Sequence, residues 1–152
     1  MERAEQAKPV RVLLVEDNAT VREAVASEFR PDPDFEIVGE AASLSEARSV
    51  LAAADVMVLD LGLPDGSGAD LIRELRDATP KARAIVLTSA FGPALRARAI
   101  DYGAAAVLDK ITQLGQVAQA VRRILDMPEP SRQCRLWQRC SRLRPSKNTD
   151  LP

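Results

Sequence analysis

Two stretches of four consecutive apolar residues, Val12-Leu13-Leu14-Val15 and Val56-Met57-Val58-Leu59, constrain this chain more than any other feature. Successive side chains of a strand point to opposite faces, so a strand without polar alternation must be covered on both sides. Both stretches therefore belong at the centre of a sheet that carries helices on each face. Five apolar runs are present in all: Val10 to Val15, Phe35 to Val38, Val56 to Leu59, Ala84 to Leu87 and Ala105 to Leu108. Between and after them the spacing turns helical, with one apolar stripe per segment. Val21, Ala24, Val25 and Phe29 form the first stripe, and Ala47, Val50, Leu51 and Ala54 the second. Leu71, Ile72 and Leu75 mark the third helix, and Leu114, Val117, Ala118, Val121 and Leu125 the fifth. Ser43 and Glu46 bracket the second helix start as a capping box, and Pro93 after Gly92 suits the first turn of the fourth. Strands alternating with helices predict an α/β fold with a doubly wound, five-stranded parallel sheet and five helices.

The last helical pattern stops at Met127-Pro128-Glu129-Pro130, because proline breaks the helical hydrogen-bond ladder. This divides the chain into an N-terminal extension (residues 1–9), a domain (10–126) and a tail (127–152). Charge follows the same division: 15 basic and 20 acidic residues lie up to Asp126, against 6 and 2 beyond it. In the tail, Leu136, Cys140 and Leu143 are spaced by four and three beside Trp137, among Arg132, Arg135, Arg139 and Arg142. A helix there would be isolated and marginal, so the tail is expected to be disordered. A few arginines can hold phosphates but supply no base readout, so direct DNA binding by this chain is not expected. No apolar run approaches the roughly 20 residues of a membrane span, and the charged start leads into no signal-peptide core, which predicts a cytoplasmic protein without membrane contact.

The chain has no histidine, the commonest general base and metal ligand. Cys134 and Cys140 alone cannot complete a zinc site and read as free thiols. Chemistry must then rest on carboxylates, hydroxyls and lysine. Those residues fall at one edge: Glu16 and Asp17 follow the first strand, Asp60 the third, Thr88 the fourth and Lys110 the fifth. The carboxyl edge of an open α/β sheet is where ligands bind. One acid at a strand end often does no more than cap a helix. Three convergent carboxylates repel one another unless a cation offsets them, and an all-oxygen ligand set suits Mg²⁺. An acid pair for the metal, a carboxylate nucleophile, a hydroxyl and a lysine are the parts that phosphoryl transfer needs. Asp60, sitting centrally, is the expected nucleophile, with Thr88 and Lys110 on the phosphoryl oxygens.

At Val15-Glu16-Asp17, Asp60-Leu61-Gly62-Leu63-Pro64-Asp65-Gly66-Ser67-Gly68, Leu87-Thr88-Ser89-Ala90 and Asp109-Lys110, the chain closely resembles the receiver domain of bacterial two-component response regulators. The resemblance covers Val10 to about Leu125. It implies a flavodoxin-like sheet of strand order 2-1-3-4-5. It also implies that a sensor histidine kinase or phosphotransfer protein donates a phosphoryl group to Asp60. By the same resemblance Asp17 and Asp60 bind Mg²⁺ directly, Glu16 acts through water, and the backbone carbonyl of Gly62 completes the metal shell. Pro64 and Gly68 shape the loop before the third helix. A surface of helix 4, strand 5 and helix 5 is where such a domain would form a homodimer.

Three departures stand out. Val107 occupies a position where the family usually carries a Tyr or Phe that rotates inward when Thr88 moves toward the phosphoryl group. Ile111 replaces a proline that often follows the lysine, so no cis X-Pro bond is implied. Gly62 and Ala90 are both small at positions that flank access to the phosphoryl group. The leading expectation is a phosphorylation-controlled switch rather than an enzyme. Its rivals are a receiver-fold interaction module that works without phosphorylation, suggested by Val107, and the receiver remnant of a DNA-binding transcriptional regulator. An aspartyl phosphatase would want a second acid two residues after Asp60, where Gly62 stands.

Overall fold

The computed structural model describes residues 8–89 and 92–128. The readings made for the tail beyond Pro128, for Ala90 and for most of the N-terminal extension lie outside these residues. In chain order the elements are β1 (Val10–Val15), α1 (Ala19–Phe29), β2 (Phe35–Ala41), α2 (Leu44–Arg48), β3 (Val56–Leu59), β4 (Gly62–Leu63), β5 (Gly66–Ser67), α3 (Gly68–Ala78), β6 (Arg83–Thr88), α4 (Pro93–Tyr102), β7 (Ala106–Asp109) and α5 (Val117–Ile124). Single 3₁₀ turns precede β3 (Leu51–Ala53) and α5 (Leu114–Gln116). The main sheet is parallel, in the order β2-β1-β3-β6-β7. That is the expected doubly wound, flavodoxin-like order once the small antiparallel hairpin β4–β5 is set aside.

The unbroken apolar runs do what their lack of alternation requires. Leu13, Val15, Met57, Leu59, Ala84, Val86 and Val107 point into a core shared with α2, α3 and Ala99 of α4. Their strand neighbours Val12, Leu14, Val56, Val58, Ile85, Leu87 and Leu108 point into a second core closed by Val25, Ala26 and Phe29 of α1 and Val117 and Val121 of α5. A fully buried Leu or Phe contributes roughly 2 kcal/mol by leaving water. Phe29 also meets Phe35 edge-on, with ring centroids 5.0 Å apart and planes at 82°.

The ends of α2 and β2 differ from those expected from the sequence. The second stripe does face the core at Ala47, Leu51 and Ala54, but α2 ends at Arg48. There Ser49 Oγ donates to the Glu46 carbonyl at 2.7 Å, a local bond that competes with the helical ladder. The capping box is also shifted: Ser43 Oγ accepts from Glu46 N–H, whereas the Glu46 carboxylate reaches the amide of Ala42. At the other end of the domain, α5 ends before the prolines. Asp126 takes a left-handed conformation with φ 52°, and Met127 N–H returns to the Arg122 carbonyl and Asp126 N–H to that of Arg123. This is a Schellman stop, with Asp standing where Gly is usual. The strand β2 runs to Ala41 rather than Val38, because its pairing with β1 continues through Gly39, Glu40 and Ala41.

Candidate functional site

The carboxyl ends of β1, β3, β6 and β7 bring the expected residues together. Asp60 is placed by its own backbone, whose N–H donates to the Val15 carbonyl at 2.9 Å and so extends the β1–β3 pairing one residue past β3. Lys110 is placed in the same way by the Thr88 carbonyl at 3.0 Å. Glu16 and Asp60 are 5% and 9% exposed and Thr88 is 5% exposed, whereas Asp17 faces solvent. Carboxylate oxygens of Glu16, Asp17 and Asp60 lie within 4.8 Å of one another.

Lys110 is the cation that contacts the carboxylates of the site. Its Nζ stands 2.7 Å from Glu16 Oε2 and 2.9 Å from Asp60 Oδ2. Burial pulls the Lys110 ammonium down, but hydrogen bonds to Glu16 and Asp60 outweigh it and leave the group above its ordinary value. Burial raises the Glu16 carboxyl above its ordinary value, against the lowering pull of Lys110 and the Asn18 amide. Three acids against Lys110 and the nearby Arg22 still leave an excess of negative charge at the site. All the donor atoms are oxygens, which fits a hard divalent ion such as Mg²⁺.

Backbone and side chains not singled out by the sequence reading complete the site. The Gly62 N–H donates to Asp60 Oδ1 at 3.2 Å. Asn18 N–H donates to Glu16 Oε1 at 3.0 Å, while the Asn18 side chain caps α1 by accepting from Thr20 and Val21. The signal for that cap was present, since Asn precedes the first helical stripe. Arg22, one turn into α1, donates from Nη1 to the Glu16 carbonyl at 2.7 Å. Together with Glu16 and Asp60 it lines a small cavity backed by Leu14, Val25, Val58 and Leu87. Gly62 is exposed, and a Cβ there would meet nothing within 4 Å. Val107 is buried in the core on the α3 side of the sheet, and Ile111 stands in solvent at 80% exposure.

Residues 12–122 match the family model described as the response regulator receiver domain. The DNA-binding transcriptional activator DevR/DosR of Mycobacterium tuberculosis is 38% identical over 117 residues, covering 76% of this chain and 54% of that protein. A protein-glutamate methylesterase/protein-glutamine glutaminase of Caulobacter vibrioides is 31% identical over 119 residues, covering 76% of this chain and 35% of that protein. The chain thus spans about half the length of the first relative and about a third of the second. Among solved structures, a two-component response regulator of the LuxR family from Aurantimonas sp. SI85-9A1 superposes with a TM-score of 0.70. The two are 26% identical, with 90% of this chain and 99% of that one covered.

Proposed function

The chain belongs to the response regulator receiver domain family, and we propose that it is a phosphorylation-controlled switch that accepts a phosphoryl group on Asp60 in a Mg²⁺-dependent reaction. The observation that carries this reading is the Lys110 ammonium bridging Glu16 and Asp60, with Asp17 alongside in solvent. Such an arrangement holds a nucleophile and an acid pair together around one base. Glu16, Asp17, Asp60 and the Gly62 carbonyl would hold the ion. When bound, Mg²⁺ supplies charge neutralisation for the incoming phosphoryl oxygens.

A carboxylate oxygen of Asp60 attacks phosphorus, forming an acyl phosphate. The bond from phosphorus to the donor breaks, leaving its electron pair on the histidine nitrogen of a sensor kinase or phosphotransfer protein. Attack needs no general base, because a carboxylate is nucleophilic without one. Lys110 then exchanges its Asp60 contact for a phosphoryl oxygen, and the Thr88 hydroxyl donates to another. Such a donor works in the cytoplasm, and no helix of the described residues is long and apolar enough to cross a membrane. The switched state would be passed to a partner protein or through a homodimer of α4, β7 and α5. Ile100 on α4 and Ile111 after β7 are the large apolar side chains left exposed among the described residues.

One observation favours a second reading. Val107 leaves no aromatic side chain to take up a second position when Thr88 moves, which suits an interaction module that works unphosphorylated. Incubating the chain with Mg²⁺ and a small phosphodonor and measuring intact mass separates the two. Addition of one phosphoryl group, absent without Mg²⁺ and absent in Asp60→Asn, is expected for the switch. An unchanged mass favours the module.

A further inference from the structure

Asp65 sits at the tip of the β4–β5 hairpin, and its carboxylate bonds outside that hairpin. Oδ1 accepts from the Leu44 N–H at 2.8 Å and Oδ2 from the Ser45 N–H at 3.1 Å. These are amides at the start of α2 that the helix cannot pair internally. Contact with the same residue continues in the hairpin backbone. Gly66 has φ +147°, and a Cβ on it would lie 2.8 Å from Leu44 Cδ1. The hairpin therefore rests on α2 at its tip, through one two-pronged carboxylate and the packing of Gly66 beside the Leu44 side chain. Its own ladder comprises two residue pairs, Gly62 with Ser67 and Leu63 with Gly66. A two-stranded ribbon of that size does not hold its shape unaided.

The other end of the same loop touches Asp60. Gly62 donates to Asp60 Oδ1, and Gly68 donates from its N–H to the Leu61 carbonyl at 3.0 Å. A Cβ on Gly68 would lie 2.8 Å from the Asp60 carbonyl oxygen. Displacement at the tip would thus be felt at the Asp60 carboxylate and at Gly62.

We propose that Asp65 is a positioning residue of the site: by clamping the hairpin to α2 it holds Gly62 against Asp60, and so sets both metal affinity and the rate of phosphoryl acceptance. The rate claim rests on the reading of Asp60 as the phosphoacceptor. The rival is that Asp65 only caps α2. Ser43 provides the control, since its hydroxyl caps the same helix by accepting from the Glu46 N–H, and among the described residues no hydrogen bond joins it to the hairpin.

The test uses the full chain as wild type, Asp65→Ala, Asp65→Asn and Ser43→Ala. It reads amide exchange in the metal-free protein, Mg²⁺ affinity by calorimetry, phosphorylation rate at low Mg²⁺, and thermal stability. Asp65→Ala should speed exchange at Gly62 and Gly68, weaken Mg²⁺ by about tenfold and slow phosphorylation in proportion. Asp65→Asn, which keeps one acceptor oxygen, should recover part of each. Ser43→Ala should lose comparable thermal stability while leaving the other three readouts at wild-type values. If Asp65→Ala and Ser43→Ala behave alike in exchange and Mg²⁺ affinity, Asp65 is a cap and the clamp is wrong. If the wild type takes no phosphoryl group, the functional reading fails by itself, because exchange and Mg²⁺ affinity still decide the clamp.

Discussion

The two ends of the sheet each carry a cluster of acids around one largely buried base, and the clusters are built to opposite effect. At the amino end, Arg122 of α5 is 6% exposed. Its Nη2 meets Asp32 Oδ2 at 2.5 Å and Asp34 Oδ2 at 2.8 Å, and its Nη1 donates to the Pro128 carbonyl at 2.7 Å. The guanidinium also lies 5.1 Å from the Phe35 ring centroid, and Asp32 Oδ1 accepts from the Asp34 amide. A planar fork satisfies several fixed acceptors at once, which suits a joint between α5, the loop before β2 and the segment leaving the domain. At the carboxyl end a lysine spans two acids while a third stays in water. A compact ammonium on a flexible stem can change partners, which a stacked and forked guanidinium cannot do cheaply. Burial and ion pairing alone therefore do not mark the candidate site, since both clusters carry more acids than bases. What sets the carboxyl end apart is a base free to change partners.

The largest expected effect breaks the amino-end cluster. Arg122→Ala should destabilise the domain by roughly 3–5 kcal/mol, because Asp32 is left buried without its cation. Chemical denaturation would measure this, while the fraction that remains folded should still accept a phosphoryl group. A loss below about 1 kcal/mol would mean that the network is solvated rather than structural.

At the carboxyl end the corresponding change should act on binding instead. Asp17→Ala should weaken Mg²⁺ by about tenfold or more if Asp17 is the direct ligand proposed above. Glu16→Ala should cost much less if Glu16 acts through water. Equal losses in a calorimetric titration would remove that distinction; Trp137, placed in the tail, makes fluorescence a poor probe.

A smaller effect follows from Glu16. Its carboxyl is raised by burial, so the folded, metal-free state binds the proton more tightly than the unfolded chain. Stability from this group is complete below the ordinary glutamate pKa and is lost as pH rises through the raised value. Glu16→Gln should therefore make the metal-free domain slightly more stable near neutral pH and flatten that part of the stability profile. A less stable Glu16→Gln protein at neutral pH would show that the ion pair with Lys110 dominates.

The smallest effect concerns output. Valine at 107 is stiff and small, so phosphorylation has no second packing to select there, and a switch whose two states differ little shifts its population little. Hydrogen exchange with and without a Mg²⁺-bound phosphoryl mimic should change at Asp60 to Gly68 and Thr88 to Gly92. Large changes throughout Phe91 to Leu108 would refute weak coupling.

The centre of the fold was legible because Val12 to Val15 and Val56 to Leu59 leave a strand no solvent face. The edge was less so: the second apolar run stops at Val38, yet pairing with β1 carries the strand on through Gly39 and Glu40 to Ala41. The hairpin after Asp60 went unread because two-residue strands have no period to detect, although Pro64-Asp65-Gly66 is a turn signal. At the site, acids at strand ends could be placed from strand order alone. The double contact of Lys110 and the reach of Arg22 to the Glu16 carbonyl depend on side-chain paths that spacing does not encode.

The central claim is that Asp60 is the group chemically modified, and its chemistry can be read at the residue. Borohydride reduces an acyl phosphate of aspartate to homoserine. The chain should therefore be treated with Mg²⁺ and a small phosphodonor, reduced, and mapped by peptide mass spectrometry. Homoserine is expected at position 60, dependent on Mg²⁺, with Asp17 and Glu16 unmodified. Homoserine at another acid, or none at position 60 under conditions that load Mg²⁺, would contradict it.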